Sequence, residues 1–171
     1  MGKQRVLVDT CVIIEAFRIN CWKALCAHFD VETVECCVTE CNTGDPSSPG
    51  RVNIPLADLT AGLNCVHKVD AKMLATLYLD CPNLPALDDG ELHLFAWLHA
   101  NPKEAVLTIL STSDRAAIRA AHVLEFLDRV HSLHSIAKTA SVGPRQLGNL
   151  KDHFCEEWLS SARFKIVMGQ L

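Results

Sequence analysis

Four acidic residues stand where predicted secondary-structure elements meet, and carboxylates at such junctions can hold metal ions. The four are Asp9, Glu40, Glu91 and Asp114. Converging carboxylates repel one another, so a cluster persists only if cations neutralise it or some members stay protonated. Hard oxygen ligands suit Mg²⁺ or Mn²⁺, and two such ions roughly 3.5–4 Å apart can activate water and stabilise the leaving oxygen of a phosphodiester. Each acid alone is equally well explained as a helix cap or a surface charge, but the four together predict hydrolytic phosphoryl transfer.

The first of these carboxylates follows a short apolar strand. Residues 6–8 predict a buried parallel strand, and Asp9 comes at its C-terminal end, where open α/β sheets bind ligands. Thr10 can then cap a helix, because the apolar side chains of residues 12–17 recur at helical spacing.

A second strand is predicted to deliver Glu40. Residues 21–29 carry apolar side chains at helical spacing and indicate an amphipathic helix. Residues 31–39 alternate and are rich in β-branched side chains, which predicts a strand that runs into Glu40. Residues 42–53 are dense in Gly, Pro and Ser, and they predict an exposed loop after that strand.

A strand and two helices lead to the third carboxylate. Residues 63–69 indicate a short strand, and Asp70 is predicted to cap a helix over residues 71–79. Asp88 then opens a strongly apolar helix that ends near residue 100. Carboxylates in a first helical turn favour the positive end of the helix dipole, so capping explains Asp88 and its neighbour as well as metal binding does. Glu91, further along the helix, is less easily explained as a cap.

The fourth carboxylate follows the second clearly buried strand. Residues 105–110 predict that strand, and Asp114 lies just after its C-terminal end. Residues 116–127 predict a helix, and residues 129–133 indicate a last core strand.

The remaining pattern is helical and completes an α/β domain. Residues 135–141 and 146–164 indicate helices, separated by a Gly-Pro pair. Strands that alternate with helices predict a mainly parallel central sheet with helices on both faces. We therefore expect one domain over residues 1–135 and a helical C-terminal extension over residues 136–171 that packs on it.

Composition limits the functional classes. The chain has 171 residues, of which 49% are hydrophobic, and this is enough for a substantial core. Its formal charge of −4 gives no overall basic field for nucleic acid, so a polyanionic partner needs a local patch or bound metal. No apolar segment is long enough for a membrane span or a signal peptide, which predicts a soluble cytoplasmic protein. The nine cysteines include no Cys-x-x-Cys pair, and we expect most of them to be buried, reduced thiols.

Four short segments, taken in order, resemble the motifs of PIN-domain nucleases. Residues 8–14 (VDTCVII) resemble the N-terminal signature of the family, and residues 38–40 (VTE) resemble its strand-to-helix Glu segment. Residues 87–91 (LDDGE) resemble the Leu-Asp-x-Gly-Glu variant of one branch, and residues 110–117 (LSTSDRAA) resemble the Thr-x-Asp segment. The resemblance covers about residues 5–135.

This resemblance implies a fold, an activity and a set of site residues. The fold would be a Rossmann-like, three-layer α/β/α domain whose acidic pocket binds Mg²⁺ or Mn²⁺ and cleaves RNA. The four carboxylates would be metal ligands or water activators, with Asp88 as an alternative ligand. The supporting hydroxyls would be those of Thr10, Thr112 and Ser113. In toxin–antitoxin members of the family an antitoxin segment occupies the site. The resemblance therefore also implies that this protein could be a toxin with an antitoxin protein as its partner. An incomplete site would instead leave an inactive module that binds RNA or protein.

Contacts to substrate and to partner proteins are less strongly indicated. Arg115 and Arg119 are one helical turn apart after Asp114 and could reach phosphates beside the metal site. The apolar stripe of the last helix could pack on the core, on a second copy in a homodimer, or on a partner helix.

Other α/β enzymes with acidic pockets are excluded by specific positions. Haloacid-dehalogenase-like phosphatases need a second Asp two residues after the first, but that position is Cys11. Response-regulator receivers need an acidic pair and a late strand-end Lys, and neither is evident. No Gly-rich loop follows Val8, which excludes a P-loop or dinucleotide-binding motif.

Overall fold

A four-stranded, all-parallel sheet lies at the centre of the part of the chain that the computed structural model describes, residues 2–43 and 50–170. The strands are β1 (Arg5–Val8), β2 (Asp30–Val34), β3 (Cys65–His67) and β4 (Thr108–Ser111). Their order across the sheet is β3-β2-β1-β4. Since β1 pairs with β2 on one side and β4 on the other, it is a central strand. The last three residues of β1 are buried because helices cover a parallel sheet.

The described residues also form eleven α-helices. These are α1 (Thr10–Arg18), α2 (Trp22–His28), α3 (Glu35–Asn42), α4 (Leu56–Gly62), α5 (Ala71–Asp80), α6 (Asp89–Ala100), α7 (Pro102–Ala105), α8 (Arg115–Val123), α9 (Leu133–Thr139), α10 (Pro144–Leu147) and α11 (Glu156–Val167), with short 3₁₀ turns at Leu127–Arg129 and Asp152–Phe154. The prediction of an α/β protein with a parallel sheet is confirmed. No helix within the described residues is long and apolar enough to cross a membrane.

One predicted strand is too long, and another is reduced to a single bridge. The strand predicted over residues 31–39 ends at Val34, and helix α3 follows it, so Glu40 lies on a helix and not at a strand end. Cys37 and Cys41 explain the helix, because they are four residues apart and both are buried against the core. Of the strand predicted over residues 129–133, only Val130 bridges to β4, and α9 begins at Leu133.

Helix starts follow the predicted caps except at α1. Asp70 accepts a hydrogen bond from the amide of Met73 at 2.8 Å, and Asp88 accepts one from the amide of Glu91 at 2.9 Å. Thr10, by contrast, is the first residue of α1 and does not cap it, because Asp9 occupies the N-cap position.

Three further boundaries differ from the predictions. The strand predicted from residue 105 begins at Thr108, because α7 extends to Ala105. The helix predicted over residues 146–164 is interrupted between α10 and α11. The loop predicted over residues 42–53 falls largely on residues 44–49, which lie outside the described residues, although Asn42 belongs to α3.

The cysteines are free, but fewer are buried than predicted. All nine carry free thiols, and no disulfide joins any two of them. Only Cys21, Cys37 and Cys41 are buried, while the other six are partly exposed. Of these six, Cys11, Cys26 and Cys36 lie on helices, Cys65 begins β3, and Cys81 and Cys155 flank helices.

The C-terminal segment shares the core of the domain. Phe154, Leu159 and Ile166 are buried with the strands in one apolar cluster. Glu15, on α1, anchors the preceding loop, because its carboxylate accepts a hydrogen bond from the amide of Lys151 at 2.9 Å. This packing places His153 near Asp9, which follows the C-terminal end of β1.

An ionic cluster on β1, β2 and β3 predicts acid sensitivity of the fold. The buried carboxylate of Glu32 accepts two hydrogen bonds from Arg5, at 2.7 and 3.0 Å, and one from Asn64, and His67 Nε2 lies 2.8 Å away. Burial would raise the pKa of Glu32, but the hydrogen bonds from His67 and Arg5 outweigh it and lower the pKa to about 2.

We expect Glu32→Gln to lower the free energy of unfolding by about 1–3 kcal/mol at neutral pH, since it leaves Arg5 without its buried partner. A depressed folded-state pKa stabilises the protein above the unfolded-state value of 4.5, and this stability is lost as the pH falls towards about 2. Urea unfolding of both proteins across this interval should therefore show their difference shrinking with acidity. If the difference in unfolding free energy between the two proteins stays constant with pH, the lowered pKa of Glu32 is wrong.

Candidate functional site

A cleft of about 330 Å³ opens where β1 and β4 end. The chain runs outward from β1 through β2 to β3 and then returns to the other side of β1 as β4. Such a reversal of strand order separates the loops after β1 and β4, and ligands of open α/β sheets bind in the crevice between them. Five acidic residues line the cleft: Asp9, Glu40, Asp88, Glu91 and Asp114. The structure thus brings together all four predicted carboxylates and the predicted alternative.

Asp9 is buried at the floor of the cleft and is held from both strand ends. Its side chain is 3% exposed, and Oδ2 accepts hydrogen bonds from Thr112 Oγ1 at 2.9 Å and Cys11 Sγ at 3.0 Å. Thr112 Oγ1 also accepts a hydrogen bond from the amide of Asp114 at 3.2 Å, so one hydroxyl links the Asp9 carboxylate to the backbone of Asp114. Burial raises the pKa of Asp9 to about 6.

Glu91 is the most strongly perturbed carboxyl group of the cleft. It is 4% exposed, and a hydrogen bond from the backbone of Asp88 only partly offsets the effect of its burial on the pKa. Burial, together with the negative charges of Asp114, Asp9 and Asp88, raises the pKa of Glu91 to about 9. In the absence of a cation this raised pKa favours the protonated form at neutral pH, and a bound cation would counteract the shift by stabilising the carboxylate.

Glu40 reaches the cleft from α3 and accepts three hydrogen bonds, one of them from Cys36 Sγ at 3.7 Å. Thr10 Oγ1 donates to Oε2 at 2.5 Å, and the amide of Gly90 donates to Oε1 at 2.9 Å. A Cβ atom at position 90 would lie 2.5 Å from Oε2, so only glycine allows this close approach. The predicted supporting role of Thr10 therefore has a structural counterpart, although Thr10 is not a cap.

Asp88 and Asp114 use one carboxylate oxygen each to cap a helix. Asp88 Oδ1 caps α6, and Asp114 Oδ1 accepts hydrogen bonds from the amides of Ala116 and Ala117 at 2.6 and 3.2 Å at the start of α8. The predicted capping role of Asp88 is confirmed. No described donor engages Oδ2 of either residue, so capping and ligand binding are compatible.

The remaining lining residues include three that the sequence did not indicate. Ser113, a predicted supporting residue, donates a hydrogen bond to Cys11 Sγ at 3.3 Å. Cys11 and Ile14 follow from helical geometry once Asp9 is placed, but no local pattern marks His153, which enters from the C-terminal segment. Arg115 and Arg119 are exposed on α8 and do not line the cleft.

The cleft suits a hard divalent cation by its charge and donor type. All five acidic side chains offer oxygen ligands, and burial, with smaller contributions from neighbouring carboxylates, raises the pKa values of Asp9 and Glu91. Among the described residues, however, no three His, Cys, Asp or Glu side chains are already arranged closely enough to hold a metal ion. The acids thus share a cleft without a pre-assembled coordination shell.

Comparison with known proteins identifies no related protein. No protein-family model matches the chain, and no curated protein or solved structure matches it significantly. The relation to PIN-domain nucleases remains a prediction from four short motifs and their order.

Proposed function

We propose that this protein is a metal-dependent ribonuclease with a PIN-like, three-layer α/β/α fold. The observation that carries the proposal is the convergence of five carboxylates, from segments far apart in the chain, on one cleft at the sheet reversal. Phosphodiester hydrolysis is the chemistry that such an acidic cleft supports once a divalent cation is bound. An antitoxin protein, which would occupy the same cleft, is part of this proposal as its regulator.

In this mechanism the residues of the cleft have different tasks. Asp9 and Glu91, with the free oxygens of Asp88 and Asp114, would hold the ion. Bound Mg²⁺ or Mn²⁺ would supply Lewis-acid stabilisation of the negative charge that develops on the phosphodiester. Glu40, whose orientation Thr10 and Gly90 hold, is placed to orient a water molecule or accept its proton.

The direct test is cleavage of a labelled single-stranded RNA by the purified protein. We expect cleavage with Mn²⁺ or Mg²⁺, its loss with a chelator, and its return when excess metal is added. Lys72→Ala, on α5 and away from the cleft, is the matched surface variant and should cleave like the wild type. Cleavage that is insensitive to chelation, or no cleavage with any divalent metal, would contradict the proposal.

An inactive RNA-binding module is the second candidate, and one observation favours it. Both carboxylate oxygens of Glu40 already accept hydrogen bonds within the protein, which is typical of a structural rather than a reacting group. A protein of this kind would bind RNA without metal, would lose affinity when Arg115 and Arg119 are replaced by alanine, and would never cleave it.

We expect Gly90→Ala to reduce cleavage by about 10-fold or more while leaving stability nearly unchanged. The new Cβ would displace the Glu40 carboxylate, and small misplacements of reacting groups lower rates steeply. Alanine in a helix is otherwise favoured over glycine by about 0.5–1 kcal/mol, which offsets the disruption. Initial rates and thermal unfolding of both proteins provide the measurement. Gly143→Ala is the control, because the closest contact of its Cβ would be 4.0 Å. Full activity of the alanine variant at position 90 would refute a role for Glu40.

A further inference from the structure

An aromatic surface from the C-terminal segment begins at the acidic cleft and leads away from it. His153 lines the cleft together with the five acids. Its ring lies 6.4 Å from the ring of Trp158, at an interplanar angle of 70°. We call His153 and Trp158 the aromatic strip. Because α11 packs beside α8, the strip lies directly next to the segment that carries Asp114.

Trp158 differs from the other two tryptophans in its accessibility. Trp22 and Trp97 are buried, at 3% and 5% exposure, and belong to the core. Trp158 is only partly buried, although it packs against the same core. Part of its indole is therefore available to a ligand, and it lines a depression beside Arg115, the residue that follows Asp114.

Two cations flank the exposed indole. The guanidinium carbon of Arg115 lies over the Trp158 ring, 5.8 Å from its centroid. Lys165, with Arg115, Trp158 and Ser161, lines a small depression of about 60 Å³. Within the part of the chain that the structure describes, neither Arg115 nor Lys165 forms an ion pair with a carboxylate. Their charges are thus available to an anionic ligand, in a chain whose net charge of −4 offers no general attraction.

We infer that the aromatic strip is the exit path of single-stranded RNA, with one base stacked on Trp158 and adjacent phosphates on Arg115 and Lys165. The inference rests on the proposed function, because it starts from a phosphodiester held in the acidic cleft. An accessible aromatic face beside cations is the usual arrangement of single-strand binding surfaces. A base that stacks on the indole takes the place of the Arg115 guanidinium, which is exposed and can move to a phosphate.

The geometry favours single strands over duplexes. Stacking on an indole requires an unpaired base whose face is free, whereas the bases of a duplex are covered by their neighbours. The strip presents one aromatic face next to the cleft, and its two cations lie on the same side of α11 as that face. The inference therefore narrows the substrate class from RNA in general to unpaired RNA.

Binding to a labelled single-stranded oligoribonucleotide tests the strip. All proteins carry Asp9→Asn, so that the RNA is not cleaved, and all measurements contain Mg²⁺. We expect Trp158→Ala to weaken binding by about 10-fold, Trp158→Phe to retain most of the affinity, and a blunt duplex of the same sequence to bind equally to all variants. Phe164→Ala is the matched control, because Phe164 is an exposed aromatic residue on the same helix outside the strip.

Two further measurements guard against a variant that fails to fold. Lys165→Glu changes only an exposed side chain, and it should weaken single-strand binding and reduce its salt dependence. RNA should also quench the tryptophan fluorescence of the Asp9→Asn protein, and Trp158→Phe should abolish this quenching, because the other two indoles are buried.

The outcomes separate the strip from the nuclease function. Single-strand affinity that Trp158→Ala and Lys165→Glu leave unchanged, or a duplex bound with the same dependence on Trp158, overturns the strip. If the wild type still cleaves RNA in that case, the ribonuclease proposal stands. If binding depends on Trp158 but no divalent metal supports RNA cleavage by the wild type, the strip stands and the ribonuclease proposal is wrong.

Discussion

Asp9→Asn should reduce metal-dependent RNA cleavage by more than about 10²-fold while the protein stays folded. The amide has the shape of the carboxylate, and its oxygen can still accept the hydrogen bonds from Thr112 and Cys11. It lacks the negative charge, however, and even the outer partners of metal ligands change activity by about 10–100-fold when they are replaced. Burial already raises the pKa of Asp9 to about 6, so a neutral side chain at this position should not destabilise the metal-free protein.

The measurement is the initial rate of cleavage of a labelled single-stranded RNA with saturating Mn²⁺, beside a thermal unfolding curve. Asp30→Asn is the matched control, because Asp30 begins β2 and does not line the cleft. A variant at position 9 that cleaves as fast as the wild type would exclude the cleft as the catalytic centre. A variant that fails to unfold cooperatively would show that Asp9 has a structural role that its contacts do not suggest.

Glu91→Gln is expected to stabilise the metal-free protein at neutral and higher pH, by about 1–3 kcal/mol at pH 7. The pKa of Glu91 is raised to about 9 in the folded state, mainly by burial and by the charges of Asp114 and Asp9. Because the folded state then binds more protons than the unfolded state between pH 4.5 and 9, stability falls as the pH rises through this interval. Glutamine does not titrate, so the variant should lack this loss.

The same substitution should remove the stabilisation that metal provides. We expect Mn²⁺ to bind the folded wild type and to raise its midpoint of thermal unfolding, whereas the variant lacks the buried carboxylate that a cation would neutralise. Thermal unfolding with chelator and with Mn²⁺, repeated between about pH 5 and about pH 9, gives both results. Glu35→Gln, in the exposed first turn of α3, is the control and should change neither curve. Equal stabilisation of both proteins by Mn²⁺ would exclude Glu91 as a ligand.

The two variants separate the roles of the buried carboxylates. Both remove a candidate metal ligand from the cleft, but only the pKa of Glu91 lies well above neutral pH. We therefore expect loss of activity in both and a gain of metal-free stability at neutral pH chiefly in the variant at position 91. This pattern is typical of a functional site that is held together at the expense of stability.

Local sequence patterns were sufficient to predict those elements whose structure depends on residues close together in the chain. The apolar run of residues 6–8 became β1, and Asp70 and Asp88 cap the helices for which they were predicted. A cap depends on one side chain and an amide three residues away, so the sequence contains all the information required. The parallel α/β class likewise followed from the alternation of strands and helices.

Other elements could not be predicted from local sequence, because contacts with residues far apart in the chain determine their secondary structure. Residues 35–39 have the composition of a strand, but burial of Cys37 and Cys41 against the core favours a helix. Glu40 nevertheless reaches the cleft, by a different route from the one predicted, because Gly90 on α6 leaves room for its carboxylate. This space depends on how α3 packs against α6, which cannot be predicted from a local sequence pattern.

The acidic residues and their order along the chain come from the sequence alone, and so does the expectation that Asp9 and Asp114 each follow a buried strand. Only the tertiary structure placed β1 and β4 side by side and brought Glu91 into contact range of both. It also added His153 and Trp158, from a segment whose sequence indicates only a helix. The physical reason is that a cleft is formed by contacts between residues far apart in the chain, whereas periodicity and capping report only on near neighbours.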